Sequence, residues 1–326
     1  MKKLLAIALS LCLLCACTLA IAEEVSQPSG YPGGVITWIV PSSAGGATDT
    51  FTRALGNAQL GGNVVVENIS GGGQSIGMSE CVSRPADGRC LITLSTTGLI
   101  TMPLTSEVIY SAEDFRYLTK LANDSVGVVV ARPDSELKTA DQIWELINSG
   151  EPYQVGVSSI GGHSHIEFCH ALMQLGVYDN ATFVVYSGSN GVMQAVLSGE
   201  VQFGLMDDNI IVPYVNSGEL AALMTLYAQR TPLLPEVKAI AEYGVTGLEP
   251  LAGVKIAAIR KDVPDETVEW IKQQINKTIL SDEYQAFLVS SGAGAMTEIP
   301  TEEEITQWVA DATATWDAVL TQAGLK

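Results

Sequence analysis

Basic residues are scarce in this sequence. Its 326 residues include 17 lysines and arginines against 36 aspartates and glutamates, which gives a formal net charge of −19 at pH 7. A protein of this charge repels nucleic acid and anionic lipid headgroups, so we expect no nucleic-acid partner. The net charge does not define a small-molecule ligand, because a local site can carry the opposite sign to the surface as a whole.

Histidine is rarer still, and the three histidines, His163, His165 and His170, are clustered. A cluster of this kind is a candidate zinc site. His170, however, lies roughly 140° around a helix from His165 at about 100° per residue, which argues against one shared site. We therefore predict no metal and no cofactor, with His163 or His165 as a neutral hydrogen-bonding group in a ligand loop. An exported zinc-binding protein is kept as an alternative.

The candidate ligand loops also lack motifs for covalent or acid–base catalysis. The loop serines Ser95, Ser158 and Ser159 are not set in a Gly-x-Ser-x-Gly motif, as a serine nucleophile next to a base would favour. Asp207 and Asp208 are adjacent, so their side chains diverge on a strand and do not form the carboxylate pair of a glycosidase. The sequence predicts a binding protein rather than an enzyme, with an exported hydrolase as the less favoured alternative.

Long apolar runs are confined to the N-terminus. A basic start and a short apolar run ending in a small-x-small site at Ala22 predict a secretory signal peptide over residues 1–22. Cys17 lies in a segment that resembles a lipoprotein processing site, so lipid anchoring there is the other possibility. In both cases we expect a periplasmic or extracytoplasmic protein. The rest of the chain exceeds what one hydrophobic core usually organises, which predicts two lobes.

Cysteine is also uncommon outside the leader, which contains three of the six. Cys81 and Cys90 flank a predicted helix-to-strand turn. In an oxidising compartment they could form a local disulfide, and two buried thiols are the other interpretation. Cys169 lies in a helical run and is predicted to be a buried apolar thiol.

The segment Val35–Asp49 joins an apolar strand to a helix through a loop of small residues. Backbone N–H groups at such a helix start point outward, with the positive end of the helix dipole behind them, and this environment suits an anion. Gly45 and Gly46 let a ligand approach the backbone closely, and Thr48 or Asp49 could cap the helix. An ordinary strand-to-helix turn is the alternative interpretation.

The same order of strand, small-residue loop and helix returns at Val155–His165. Strands alternating with helices, such as the amphipathic helix predicted at Thr139–Asn148, indicate an α/β protein with largely parallel sheets. Ligands of such sheets bind beyond the carboxyl ends of the strands, where the hydroxyl-rich segment 95–98 is also expected. Apolar strands near 126–131 and 253–259 are expected to cross between the lobes.

Several short motifs together resemble the extracytoplasmic solute receptors of tripartite tricarboxylate transporters, also called Bug receptors. The sequence IVPSSAGGATDTFTRAL at 39–55 matches the family pattern Val-Pro-x-x-x-Gly-Gly-x-x-Asp-x-x-x-Arg. It is followed by VVVENISGGGQSIG at 64–77, VGVSSIGGHSH at 155–165, VVYSGSN at 184–190 and GEVQFGLMDD at 199–208. Each motif is weak alone, whereas their order and spacing are specific.

The resemblance implies a two-lobed α/β fold of the type II periplasmic-binding-protein class, a Venus flytrap with the ligand cleft between its lobes. We place the first part of lobe 1 at residues 31–124, lobe 2 at 125–248 and the return to lobe 1 at 249–326. Hinges are expected near the crossings at 121–127 and 246–253.

The family also implies a ligand and the residues that bind it. The ligand would be a small organic acid, namely a di- or tricarboxylate, an amino acid or an aromatic acid, held largely by main-chain amides and ordered waters. A monomeric receptor would deliver it to membrane permease subunits. A receptor for a non-carboxylate solute, or a sensor, is the alternative. Carried over by position, the ligand-binding residues are Ser42, Ser43, Ala44, Gly45, Gly46, Asp49, Ser95, Thr96, Thr97, Ser158, Ser159, Gly162, His163, His165, Tyr186 and Asp207.

Three residues depart from the family pattern. Val185 replaces the usual proline before Tyr186, and Ser187 replaces the lysine that is common after it. His163 stands where a small hydroxyl residue is usual. These departures affect the identity of the ligand more than the fold.

Overall fold

The computed structural model describes residues 25–56 and 58–326. The predicted signal peptide and Cys17 lie outside these ranges. Within them, no helix combines the length and the apolar character needed to cross a bilayer.

The first lobe is built on a mixed sheet that has five strands among the described residues. These strands are β1 (Ile36–Val40), β2 (Val64–Asn68), β3 (Cys90–Ser95), β4 (Phe115–Lys120) and β10 (Lys255–Arg260). They are ordered β2-β1-β3-β10-β4, with β1 parallel to β2 and β3, and with β10 antiparallel to β3 and β4. Because helices cover both faces of the sheet, its central strands are buried along most of their length and do not alternate between buried and exposed residues.

The second lobe repeats this arrangement. Its strands are β5 (Gly127–Ala131), β6 (Tyr153–Val157), β7 (Ala181–Val185), β8 (Phe203–Asp207) and β9 (Ala221–Thr225). They are ordered β7-β6-β8-β5-β9, and β5, which runs antiparallel to β8 and β9, takes the place that β10 has in the first lobe. In each sheet the antiparallel strand is therefore the one that follows a crossing. The predicted α/β fold with two lobes is confirmed.

Helices pack on the faces of both sheets. They are α1 (Ala47–Ala54), α2 (Ser75–Ser83), α3 (Met102–Thr105), α4 (Ala140–Asn148), α5 (His163–Leu175), α6 (Gly188–Ser198), α7 (Asp208–Asn216), α8 (Asp265–Ile279), α9 (Asp282–Ser290) and α10 (Glu302–Gln322). The predicted helix at Thr139–Asn148 is α4, which begins with Thr139 as its N-cap and buries Ile143 and Ile147 against the core.

The two crossings run side by side and are hydrogen-bonded to each other. Ser125 N donates to Gly253 O at 2.9 Å, and Gly253 N donates to Ser125 O at 2.8 Å. A Cβ atom at Gly253 would lie 2.7 Å from Ser125 Oγ and 2.8 Å from the ring of His163. Only glycine fits there without a shift of its neighbours, so the crossing packs directly against the first residue of α5.

The C-terminal helix α10 also joins the lobes, since it packs against β4 of the first lobe and α5 of the second. Trp316, fully buried in α10, donates from Nε1 to Pro250 O at 3.3 Å. One continuous hydrophobic core includes Ile39 of β1, Phe168 of α5 and Trp316. The lobes are thus held by apolar packing as well as by the crossing strands.

Two of the buried cysteines are in contact. The Sγ atoms of Cys81, in α2, and Cys90, which begins β3, are 3.7 Å apart, and both residues are free thiols in this structure. Cys169 is a buried thiol, as predicted.

We expect the Cys81 and Cys90 thiols to form a disulfide when the folded protein meets a disulfide oxidant such as oxidised glutathione, because their sulfur atoms already touch. Closing this short loop should stabilise the fold by roughly 2.5 kcal/mol. The measurement is a count of free thiols after denaturation of the chain without its leader: one thiol after oxidation and three before. Cys90→Ser should show the same count with and without oxidant. Three reactive thiols in the oxidised protein would contradict the prediction.

Candidate ligand-binding cleft

The loops before α1 and α5 have the same backbone conformation. Gly45 and Gly161 both adopt a positive φ, at +78° and +75°, a region that favours glycine. Gly46 and Gly162 follow as the N-caps of their helices, with φ and ψ of −73° and 168° in the first loop and −72° and 159° in the second. Neither helix start has a side-chain cap. The first N–H groups of both helices are therefore left without a capping acceptor from a side chain.

A side chain four residues further on supports each loop from behind. Gly45 N donates to Asp49 Oδ2 at 2.8 Å, and Gly161 N donates to His165 Nδ1 at 3.2 Å. The expectation that Thr48 or Asp49 caps α1 is wrong, since both lie inside the helix and Gly46 is the N-cap. Asp49 and His165 instead hold the glycine peptides in place.

Asp49 is almost fully buried, and its carboxylate accepts hydrogen bonds from several donors. Asn68 Nδ2 donates to Asp49 Oδ1 at 2.9 Å and to Ser42 O at 3.1 Å, while Arg53 Nε lies 2.9 Å from the same carboxylate. Burial alone would raise the pKa of Asp49, but the hydrogen bonds from Arg53, Gly45 and Asn68 outweigh it and lower the pKa. This carboxylate is an ionised support for the first loop.

The other predicted residues of the first loop are open to the cleft. Ser43, Ala44, Gly45 and Gly46 are exposed. Ser42 is half-buried, and its Oγ is enclosed without a hydrogen-bond partner among the described residues. A buried hydroxyl without a partner is uncommon, so Ser42 Oγ is an unsatisfied polar group at the base of the first loop.

The end of β3 borders this loop. Ser95 Oγ donates to Gln74 Oε1 at 2.8 Å, which ties the glycine-rich turn after β2 to the same edge. Thr96 is buried, and Thr97 begins a short π-helical turn over Thr97–Thr101.

In the second lobe, His165 is a buried, neutral side chain. Burial lowers the pKa of His165 to about 4. Its ring packs edge-on against Phe183, with centroids 4.4 Å apart, and its Nε2 lies 3.4 Å from Cys169 Sγ. The neutral histidine expected in this loop is therefore His165.

His163 has a different environment. It is the first residue of α5, and its Nε2 lies 3.1 Å from Asp207 Oδ1, at ion-pair distance although the N–H is not aligned for a hydrogen bond. Burial would lower the pKa of His163, but the charge of Asp207 outweighs it and raises the pKa to about 9. The same pairing lowers the pKa of Asp207 against the effect of burial. His163 is thus a cation at neutral pH, held against Gly253 at the crossing.

The remaining predicted residues of the second lobe lie around this pair. Ser158 and Ser159 are half-buried on the loop before α5. Tyr186 donates its hydroxyl to Glu200 Oε1 at 2.9 Å, so this hydroxyl is already used. Asp207 ends β8 beside His163, at the carboxyl edge of the parallel strands β6 and β8.

The two lobes meet directly across the cleft. Thr101, which ends the turn after β3, donates its hydroxyl to Gly161 O in the second loop at 2.8 Å. A Cβ atom at Gly161 would lie 2.8 Å from the Thr101 methyl group. The turn that follows β3 in the first lobe is therefore in direct contact with the glycine loop of the second lobe.

A model of the tripartite tricarboxylate transporter family receptor matches residues 53–325. The chain belongs to this family. This match confirms the family that the short motifs indicated. Members of the family are solute-binding receptors rather than enzymes.

Individual relatives agree with this assignment. The chain is 26% identical to the protein BugT of Bordetella pertussis over 319 residues, which cover 95% of each chain. It resembles the solved structure of MatC from Rhodopseudomonas palustris with bound malate at 20% identity and a TM-score of 0.73, over 89% of this chain and 100% of that one. A second R. palustris protein, solved with adipate, gives 23% identity and a TM-score of 0.74, over 90% and 98%. The two structural likenesses support the periplasmic-binding-protein fold of this receptor.

A cavity of about 320 Å³ opens beside the crossing of the receptor. Both lobes line it, through residues that include Asn123, Asp208, Thr231 and Gly294. The loops before α1 and α5 do not line this cavity. Across residues 25–56 and 58–326, no group of three or more histidine, cysteine or acidic side chains is arranged to hold a metal ion.

Glu167, in α5, is a buried titratable residue beside the crossing, and it was not among the predicted ligand-binding residues. It is fully buried, and its Oε2 accepts a hydrogen bond from Gly127 N at 2.7 Å, while Oε1 has no partner among the described residues. Burial raises the pKa of Glu167 to about 8 despite the opposing effects of His163 and Gly127. This carboxyl group is mostly protonated at neutral pH. Its position one helical turn after His163 is the sequence feature that could have indicated its proximity to the predicted ligand loop.

The raised pKa of Glu167 predicts a pH dependence of stability. The folded protein keeps this proton up to a pKa of about 8, whereas the unfolded chain releases it near its ordinary pKa, so stability falls as pH rises between about 5 and 8. Glu167→Gln should remove this contribution, and its unfolding free energy relative to wild type should grow by up to about 1.4 kcal/mol per pH unit. Urea unfolding across this range measures the difference.

Glu145→Gln on the exposed face of α4 is the matched control, and its difference from wild type should not change with pH. A pH-independent difference for Glu167→Gln as well would show that Glu167 is ionised in the folded protein.

Proposed function

We propose that this protein is an exported, monomeric receptor that captures a small organic carboxylate between its lobes and delivers it to the membrane permease of a tripartite transporter. The observation that carries the proposal is the pair of matching loops, each with a glycine N-cap and no side-chain cap. Two helix starts that lack capping side chains and face one cleft form a main-chain site for an anion.

The side chains around the loops add to this site. Ser42 Oγ has no partner, and the protonated ring of His163, which is paired with the Asp207 carboxylate, is a charged donor on the second lobe. Both groups are donors to a carboxylate, and a charged donor gives the stronger hydrogen bond. Asp49 and His165 then act through the backbone, by fixing the peptides of Gly45 and Gly161 rather than by touching the ligand.

Relatives with known ligands indicate the size of the solute. MatC is solved with malate, and the second R. palustris protein is solved with adipate. Both ligands are dicarboxylates of a few carbon atoms. A ligand of this class agrees with a cleft whose donors are backbone amides, hydroxyls and one histidine.

The lobe boundaries and the remaining site residues are part of the same proposal. The first lobe takes residues 31–124 and 249–326, and the second takes 125–248, so the crossings at Ser125 and Gly253 serve as the hinge. The ligand contacts come from the two loops and from Ser95–Thr97, and the strand ends at Tyr186 and Asp207 flank them. Export depends on the leader at residues 1–22.

A thermal-shift panel tests the ligand class. It should contain di- and tricarboxylates, amino acids and aromatic acids such as nicotinate. A solute present at 100 times its Kd stabilises the folded receptor by about 2.7 kcal/mol, because it binds the folded state alone. We expect at least one carboxylate to raise the melting temperature, and stabilisation by non-carboxylate solutes only would contradict the proposal.

The first loop is tested by a substitution at Gly45. At a φ of +78° a branched side chain is strained, so Gly45→Val should shift the loop amides and weaken binding of the best carboxylate by roughly tenfold or more. Gly176→Val is the control, because Gly176 has a similar φ of +70° at the end of α5 and open space around it. Titration calorimetry should show normal affinity for the control, and equal affinities for both variants would remove the first loop from the site.

A further inference from the structure

Lys255 is a cation of the cleft that belongs to none of the sequence motifs. It begins β10, where it pairs with Ser95 at the end of β3, and it is half-buried. Its Nζ lies 5.1 Å from the centroid of the Phe51 ring on α1. Lys255 is therefore at the carboxyl edge of β1 and β3, on the side covered by α1.

The position of Phe51 places the ammonium group near the anion site. Phe51 lies four residues after Ala47, the first residue of α1, which is about 6 Å along the helix axis. Side chains of a helix lean toward its N-terminus, so the Phe51 ring points back toward the first loop. The ammonium group, 5.1 Å from the centre of that ring, therefore lies on the side of α1 that leads toward the first turn of the helix.

The charges around Lys255 leave its ammonium group available. The acidic groups that influence its pKa are Asp207, Asp208 and Asp124, and burial lowers that pKa in spite of them. Each of these carboxylates has a closer partner of its own. Asp207 lies 3.1 Å from the His163 ring, Asp208 accepts from the Thr231 hydroxyl at 2.7 Å, and Asp124 pairs with the Lys120 ammonium group at 2.7 Å. Within the described part of the chain, no carboxylate lies at ion-pair distance from Lys255.

The second lobe has no counterpart of this lysine. Gly127 begins β5 and pairs with Asp207 at the end of β8, in the place where Lys255 pairs with Ser95. The repeated architecture therefore offers main-chain amides from both lobes, and Lys255 adds a side-chain cation from the first lobe alone.

We propose that Lys255 is a specificity-determining residue, whose ammonium group pairs with a second carboxylate of the ligand and thereby selects dianionic over monoanionic acids. The inference rests on the proposed function, in which the loop amides and His163 hold the first carboxylate. A second carboxylate then reaches the half-buried ammonium group, where an ion pair is less screened by water than at the surface. Phe51 keeps the cation in position through its ring face.

The experiment compares each dicarboxylate with its own monoamide, which has the same shape and one charge less. Succinate, glutarate and adipate and their monoamides are titrated by calorimetry into wild type, Lys255→Met, Lys255→Gln and Lys255→Arg. In wild type the best dicarboxylate should bind roughly 10- to 100-fold more tightly than its monoamide, as expected for a hydrogen bond between charged groups. Lys255→Met and Lys255→Gln should lose this preference and bind the monoamide as wild type does, while Lys255→Arg should retain it.

Lys238→Met is the matched control, because Lys238 also lies over an aromatic ring, with Nζ 5.4 Å from the centroid of Tyr243, but is far from the loops in sequence and exposed. It should keep the wild-type preference. A dicarboxylate that binds wild type and Lys255→Met equally well would overturn the role of Lys255 and leave the receptor function intact. Failure of wild type to bind any carboxylate, while other solutes bind, would instead overturn the proposed function.

Discussion

The site depends on one backbone arrangement, a left-handed glycine followed by a glycine N-cap, which each lobe contains once. The arrangement leaves the first amides of α1 and α5 without side-chain caps, and such amides are useful only if the loop keeps its shape. A hydrogen bond from the left-handed glycine to a side chain four residues later provides this rigidity in both lobes. The first lobe uses an ionised aspartate and the second a neutral histidine, so the same geometry is reached with different chemistry.

The second constraint is the close contact between the crossing strands and the start of α5. Gly253 lies against His163, and the ring of His163 faces Asp207. The histidine therefore connects the crossing, the second loop and the carboxyl edge of β8. If the lobes rotate about the proposed hinge at Ser125 and Gly253, this ring moves relative to the crossing, and the hinge geometry is then coupled to the charge of the site through one side chain.

Charge is distributed unevenly over the molecule. The protein as a whole is strongly acidic, with a formal net charge of −19. The cleft has a protonated histidine, a half-buried lysine and a buried glutamate whose raised pKa keeps it mostly neutral. The carboxylates nearby are also partnered: Asp207 faces His163, Asp208 accepts from the Thr231 hydroxyl and Asp124 pairs with Lys120. The proposed anionic ligand would thus enter a site whose electrostatics differ from those of the strongly acidic surface.

Sequence alone determined the features that depend on neighbouring residues: the α/β class from strand and helix periodicity, α4 with its Thr139 cap, and both glycine loops. It also identified the family. Tertiary structure decided what depends on distant residues meeting. Asp49 and His165 support the loops, which a list of polar loop residues does not reveal. Glu167 and Lys255 lie in a helix and at a strand start, and their charge states and proximity to the cleft follow from packing between segments far apart in the chain.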